Sequence, residues 1–180
     1  MSIIADSYSE ANQNYFYGIY TSTEYGLRAV GESFTGKWGI LDKVTFYLQR
    51  FGNPTGLLTA SIYAHSGTFG STGIPTGSPL ATSDTVNCST VDTSAFELID
   101  FTFTGANKMK LQNGVKYVVT VTHASGTSYH LDYIRVGSGS NTHSGNSSQY
   151  SSSWTVLNVN DKFCFYVYID PLSPFPMHLS

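Results

Sequence analysis

Charge is scarce in this chain of 180 residues: Asp, Glu, Lys and Arg make up 12% of it, about half the share of an ordinary globular domain. Its solubility therefore rests on Ser, Thr, Asn, Gly and Tyr. The nine basic residues are scattered and the net charge is −3. No basic stripe exists to neutralise phosphates, so no nucleic-acid partner is expected. Cysteine is limited to Cys88 and Cys164, and neither sits in a CxxC pair, which removes a zinc site. Cys164 alternates with Phe163 and Phe165 in an apolar run and reads as a buried free thiol, while a bond to Cys88 is a matter of geometry. No stretch approaches the roughly 18 apolar residues of a membrane-spanning helix, so no membrane partner is expected. Met1 to Leu27 holds no Lys or Arg and no continuous apolar run, unlike a secretory signal. That points to synthesis in a host cytoplasm with release by another route, such as phage lysis, or to a signal already removed.

What the chain does have is aromatic and β-branched alternation, with 13 Tyr and 11 Phe. In Ile40–Arg50, Val44, Phe46 and Leu48 point one way, and Thr45, Tyr47 and Gln49 the other. In Leu57–His65, Leu58, Ala60, Ile62 and Ala64 oppose Thr59, Ser61, Tyr63 and His65. Phe96–Thr104, Val115–His123, Tyr129–Val136 and Lys162–Ile169 alternate in the same manner. Period two gives each strand one buried and one solvated face, as in antiparallel sheets. No 12-residue window carries an apolar helical period. The expectation is an all-β, antiparallel, jelly-roll-like sandwich of about eight to ten strands. A chain of this length buries roughly 70% of its unfolded surface and needs no disulfide to fold.

Turn residues punctuate the strands. Gly52-Asn53-Pro54-Thr55-Gly56 reads as a hairpin loop between the two strongest strands. Gln112-Asn113-Gly114 and Ala124-Ser125-Gly126-Thr127 mark further turns. Ser66–Ser78 and Ser138–Ser153 read as two long polar loops, of the kind that carry function or are solvated excursions. Residues 1–170 are expected to form a single domain, with 1–20 as an N-terminal docking arm and 171–180 as a proline-rich tail.

Catalytic signatures are missing: there is no GxSxG, HExxH or GxxxxGK[ST], and the five histidines share no ligand spacing. The carboxylates are dispersed, so a glycosidase pair is left to be decided by space. No cofactor is expected; calcium held by loop carboxylates is the alternative, with Asp6, Glu10 and Asp161 as candidates. The positive signal is aromatic. Tyr150 and Trp154 stand at the edge of the Ser-rich segment beside Asn141, His143, Asn146 and Gln149. A flat ring stacks on the apolar face of a sugar while amide and imidazole groups bond its hydroxyls. Asn141, His143, Asn146, Tyr150 and Trp154 are therefore the candidate glycan site, against the plainer reading that Trp154 opens a strand and fills the core. Tyr47, Tyr63 and Tyr168 lie opposite apolar positions and read as an exposed tyrosine surface.

A longer pattern runs through the chain. Gly31-Glu32-Ser33-Phe34 is followed by Val44-Thr45-Phe46-Tyr47-Leu48, Gly52-Asn53-Pro54-Thr55-Gly56 and Ile62-Tyr63-Ala64. Then come Pro79-Leu80-Ala81-Thr82-Ser83, Phe101-Thr102-Phe103, and Leu111 with Gly114 and Tyr117. This order resembles a jelly-roll module of bacterial surface proteins and of phage structural or tail-associated proteins. The resemblance implies a non-catalytic adhesion or accessory role. Taken with the absent signal, it points first to a virion protein, a capsid decoration or tail-associated subunit. Such a protein would dock on other virion subunits, form a homo-oligomer and touch host glycans. The alternative is a carbohydrate-binding module of a secreted bacterial surface protein or polysaccharide-degrading enzyme, at the cell surface or outside the cell. A small glycoside hydrolase or lyase is the third reading.

Overall fold

The computed structural model describes residues 1–172 apart from Thr23, Asn141 and Val159. Alternation becomes two antiparallel sheets packed face to face. Sheet I contains β1 (Ile3–Tyr8), β2 (Tyr15–Ile19), β4 (Gly39–Phe51), β8 (Glu97–Thr102), β9 (Lys110–Leu111), β11 (Tyr133–Gly139), β14 (Lys162–Phe163) and β15 (Phe165–Asp170). Sheet II contains β3 (Ala29–Thr35), β5 (Leu57–Ser66), β6 (Ile74–Thr82), β7 (Val86–Asn87), β10 (Lys116–His123), β12 (Ser147–Tyr150) and β13 (Trp154–Val156). Its order is β13-β12-β3-β10-β5-β6, with β7 also on β5. The expected β-sandwich is what forms. Among the described residues no helix is long and apolar enough to cross a membrane.

The inward positions read from the sequence are the core. Val44, Phe46 and Leu48 of β4, Leu58, Ala60 and Ile62 of β5, and Val119 and Val121 of β10 are all fully buried. Phe34, Phe101, Phe103, Phe163 and Phe165 fill the remaining space between the sheets. Each such side chain stabilises the fold by about 1.5–3 kcal/mol relative to exposure. Cys88 and Cys164 are free and buried.

Four expectations change. First, Gly52–Gly56 is no hairpin: it carries the chain from β4 in sheet I to β5 in sheet II. Packed sheets lie about 10 Å apart, a gap five residues can cross and a two-residue turn cannot. Ala124–Thr127 crosses back, from β10 to β11, and the two crossings touch backbone to backbone. Thr55 N–H donates to Thr127 O at 3.0 Å, and Leu57 N–H to Ser125 O at 3.2 Å. Gly56 (φ +99°) and Gly126 (φ +102°) meet there; a Cβ on Gly56 would stand 1.9 Å from Ser125 O, and one on Gly126 2.0 Å from Thr55 O. Second, the segment 1–20 is no free arm. β1 pairs with β15 and β2 with β11, and Tyr8 and Ile19 belong to the core.

Third, the Ser138–Ser153 segment is partly strand, at its start and over Ser147–Tyr150. β11 runs through Gly139, and β12 pairs with β3 by Ser147↔Glu32 through Tyr150↔Ala29. Ser147 and Ser148 are fully buried, because a small hydroxyl side chain fits between strands when bonded; Ser147 Oγ donates to Glu32 Oε2 at 2.8 Å. The Ser66–Ser78 segment likewise gives its second half to β6. Fourth, the three tyrosines do not share a surface: Tyr63 is on sheet II, whereas Tyr47 and Tyr168 are on sheet I. Of the tail, Pro171 and Leu172 are described, and the rest lies outside the described residues.

Candidate functional site

The outer face of sheet II is built from the alternate residues that the core does not use. On β3 and β10 these are small: Ala29, Gly31, Thr120 and Thr122, in register as Ala29↔Thr122 and Gly31↔Thr120. Larger rings stand at the sides. Tyr150 on β12 pairs with Ala29 on one side and Trp154 of β13 on the other. The Tyr150 and Trp154 ring centroids are 5.3 Å apart, and Tyr63, from β5, meets Trp154 edge-on at 6.1 Å. The far rim comes from β6. Its register against β5 shifts between Ile62 and Ala64, so Gly77, Ser78 and Pro79 bulge out of the ladder and stand exposed.

The result is a groove of about 460 Å³ lined by Arg28, Ala29, Tyr63, Gly77, Ser78, Pro79, Thr122, Tyr150 and Trp154. That volume is within the range of small-molecule sites. No carboxylate lines it, and Arg28 brings the one formal charge among the lining residues. Burial, with Tyr150 nearby, pushes the Tyr63 phenol above its ordinary value, so it stays a neutral hydroxyl. The groove thus offers flat rings, hydroxyl groups and a guanidinium along one open face.

The structure divides the five residues singled out by sequence. Tyr150 and Trp154 come together in the groove; Trp154 is half-buried there and takes no place in the core. His143 and Asn146 are corrected, since both are turned inward. Asn146 is fully buried, accepting from Gly73 N–H at 3.0 Å and donating to Gly73 O at 2.8 Å, so its amide is spent on fixing a loop. His143 is buried between two carboxylates. Its Nε2 is 3.2 Å from Asp6 Oδ1 and its Nδ1 3.3 Å from Glu32 Oε1. Burial opposes charge on the ring, but the hydrogen bonds and charges of Asp6 and Glu32 outweigh it and raise the pKa to about 9. The ring is therefore an imidazolium at neutral pH, which gives Glu32 Oε1 the donor it otherwise lacks. Glu32 Oε2 also accepts from Phe163 N–H at 3.1 Å. This cluster ties β1 to β3 across the sandwich and is not available to a ligand. Asn141 lies outside the described residues.

Tyr63, Arg28 and the β6 rim were not among the sequence candidates. Arg28 and Ser78 are distant in the chain and meet only through strand pairing. Tyr63 carried a signal, as an aromatic ring on the solvated face of a strongly alternating strand.

The carboxylates considered for calcium each have a partner within the fold. Asp6 is taken by His143 and by Thr35 N–H (2.9 Å), Glu10 by the Tyr166 hydroxyl, and Asp161 by the Tyr17 hydroxyl at 2.5 Å. Among the described residues, no three His, Cys, Asp or Glu side chains gather as a metal site would need. Cys88 Sγ stands 3.2 Å from His123 Nε2, a pairing that a thiol nucleophile would use. Both residues are fully buried, however, and burial pushes the Cys88 thiol up to about 11 and holds His123 below its ordinary value. A nucleophile needs the opposite shift in the thiol.

The outer face of sheet I has different contents. Arg135 of β11 is stacked on Phe51 (4.0 Å to the ring centroid) and Phe16 (4.5 Å), and its Nη1 donates to Gln49 Oε1 at 3.1 Å. Tyr133 covers Gly18, and Tyr47 covers Gly137; a Cβ on either glycine would stand within 3.0 Å of the ring above it.

No protein-family model matches the chain, and no curated protein matches it. Among solved structures it is similar to the cysteine protease and lectin-like domains of Cwp84, a surface layer associated protein of Clostridium difficile. The TM-score is 0.46 at 12% identity, over 81% of this chain and 32% of that one, so this chain spans about a third of that structure.

Proposed function

We propose that this domain is a non-catalytic carbohydrate-binding module that holds a glycan along the outer face of sheet II. The observation that carries this reading is the groove itself, in which Tyr63, Tyr150 and Trp154 wall a floor of small side chains. Rings so placed stack on the apolar faces of sugars, and the Thr122, Ser78 and tyrosine hydroxyls match their hydroxyl groups. The non-catalytic part rests on the lining, which holds no carboxylate pair for glycoside hydrolysis. A setting on a cell surface or outside the cell suits the low charge and the Ser- and Thr-rich exterior. The virion reading expected residues 1–20 as a docking arm, whereas β1 and β2 are strands of the sandwich.

A glycan array with purified protein tests the proposal. The wild type is expected to retain one class of glycan, and Trp154→Ala and Tyr150→Ala to lose it while keeping the wild-type circular dichroism. A wild type that retains nothing, or variants that bind like it, would sink the groove assignment. Release of reducing ends from a bound polysaccharide would sink the non-catalytic one.

A further inference from the structure

A second concavity lies at the opposite sheet. It is a cleft of about 540 Å³ between β2 and the segment that enters β14, lined by Tyr15, Phe16, Tyr17, Ser140, Asn158, Asn160 and Asp161. None of its residues lines the groove. Its rings differ in freedom. Tyr15 is 56% exposed, while Phe16 is braced from behind by the Arg135 guanidinium at 4.5 Å. Tyr17 packs edge-on against Phe163 at 5.5 Å and donates its hydroxyl to Asp161 Oδ2 at 2.5 Å. That contact fixes the carboxylate at the cleft wall. Burial and Asp161 together push the Tyr17 phenol up to about 12, so it remains the donor.

The polar groups are complementary to a sugar in a specific sense. Ser140 Oγ accepts from Asn14 Nδ2 at 3.2 Å, so its own proton is there to give. Asn158 Oδ1 accepts from Asn160 N–H at 3.1 Å, so what Asn158 offers a ligand is its NH₂ donors. Asp161 supplies an acceptor. A sugar hydroxyl both donates and accepts, and adjacent hydroxyls can satisfy such a pair of donors and a carboxylate together. The carboxylate also works against acidic sugars, because a uronate would bring like charge to it. The groove, with Arg28 and no carboxylate, lacks that bias.

We propose that this cleft is a second saccharide-binding site, specific for a neutral sugar unit and occupied independently of the groove. Tyr15 provides the stacking ring, and Asp161, Asn158 and Ser140 the hydroxyl partners. The proposal goes beyond the groove reading and does not depend on it.

Amide-resolved NMR titration of the intact chain tests it. The probes are cellohexaose, xylohexaose, maltohexaose and chitohexaose, with hexagalacturonate as the acidic counterpart. At least one neutral probe is expected to move the Tyr15, Asn160 and Asp161 amides saturably. Tyr15→Ala, at an exposed position and with wild-type circular dichroism as its check, is expected to weaken that response about tenfold or more; Trp154→Ala is expected to leave it unchanged. The same spectra report the groove through the Tyr150 and Trp154 amides, so failure at one site is visible separately from failure at the other. The proposal is overturned if no neutral probe moves the cleft amides, if Tyr15→Ala titrates like wild type, or if hexagalacturonate moves them as strongly as the neutral probes.

Discussion

The two outer faces of the sandwich solve the same packing problem in opposite ways. Both carry small residues at their centres. On sheet I, Gly18 and Gly137 are roofed by Tyr133 and Tyr47, and Arg135 is stacked between Phe16 and Phe51. The gaps above these two glycines are filled from within. On sheet II, Ala29, Gly31 and Thr120 are buried as well, Thr122 is half-buried, and Tyr63, Tyr150 and Trp154 stand half-buried around a groove that Ala29 and Thr122 help to line. At the centre of sheet I the rings pack over glycines; on sheet II they line a groove. A high aromatic content therefore marks no binding site by itself. What distinguishes the two centres is whether the rings lie over the small residues, as Tyr133 and Tyr47 do, or stand around a groove, as Tyr63, Tyr150 and Trp154 do.

The largest test of that contrast lies beneath both faces. Glu32 points inward from β3, the strand whose other side is the groove floor, and meets His143, Ser147 and Phe163. Glu32→Ala leaves the imidazolium with Asp6 alone and strands the buried Phe163 N–H, while Ser147 keeps the Asp161 carbonyl. It is expected to cost about 3–5 kcal/mol in urea denaturation and to disorder the groove while β4 and its sheet I partners lose less protection from hydrogen exchange. A loss below about 1 kcal/mol would mean the cluster does not organise β3.

Next comes pH. His143 has its folded pKa raised from 6.5 to about 9, so its contribution is complete below about 6.5 and disappears as pH rises through about 9. The size is on the order of 3 kcal/mol. Asp6 has a lowered pKa: burial raises it, but the His143 and Thr35 hydrogen bonds outweigh that, so its contribution is present above about 3.8 and is lost as pH falls further. Stability is expected to decline between pH 6.5 and 9, and His143→Gln to flatten that limb. An unchanged limb in the variant would assign the decline to other groups.

The direct comparison is Trp154→Ala against Arg135→Ala. Removing the groove ring is expected to cost about 1.5–3 kcal/mol of binding, roughly a tenfold loss or more by calorimetry, with little change in melting temperature. Removing the guanidinium from its stack should do the reverse, lowering stability by about 0.5–2 kcal/mol and leaving groove affinity intact. Equal effects of the two variants on binding would erase the distinction between the faces.

The sandwich was legible because period-two alternation is local: Val44, Phe46 and Leu48 declare their face without knowledge of any partner strand. What was not legible depends on distant pairing. Gly52–Gly56 has the composition of a hairpin, yet which sheet receives β5 is decided by β10 and β6. Ser147 and Ser148 read as loop because serine is usually solvated; Glu32, the Asp161 carbonyl and the backbone of β3, all remote in sequence or unpaired without the fold, satisfy them when buried. His143 has the chemistry of a sugar ligand, but two carboxylates remote in sequence turned it inward. Tyr150 and Trp154 were found because they are four residues apart in a short hairpin, whereas Arg28, Tyr63 and Ser78 had no such link.

The pairing of β1 with β15 carries a further consequence. Ile3 lies opposite Ile169, so the described chain enters and leaves the sandwich side by side, along one edge of sheet I. The groove lies on the outer face of sheet II. Ile3 and Ile169 thus tie the first and last described strands into one edge, so a pull on either would load the β1–β15 ladder first and reach sheet II, with its groove, only through the core.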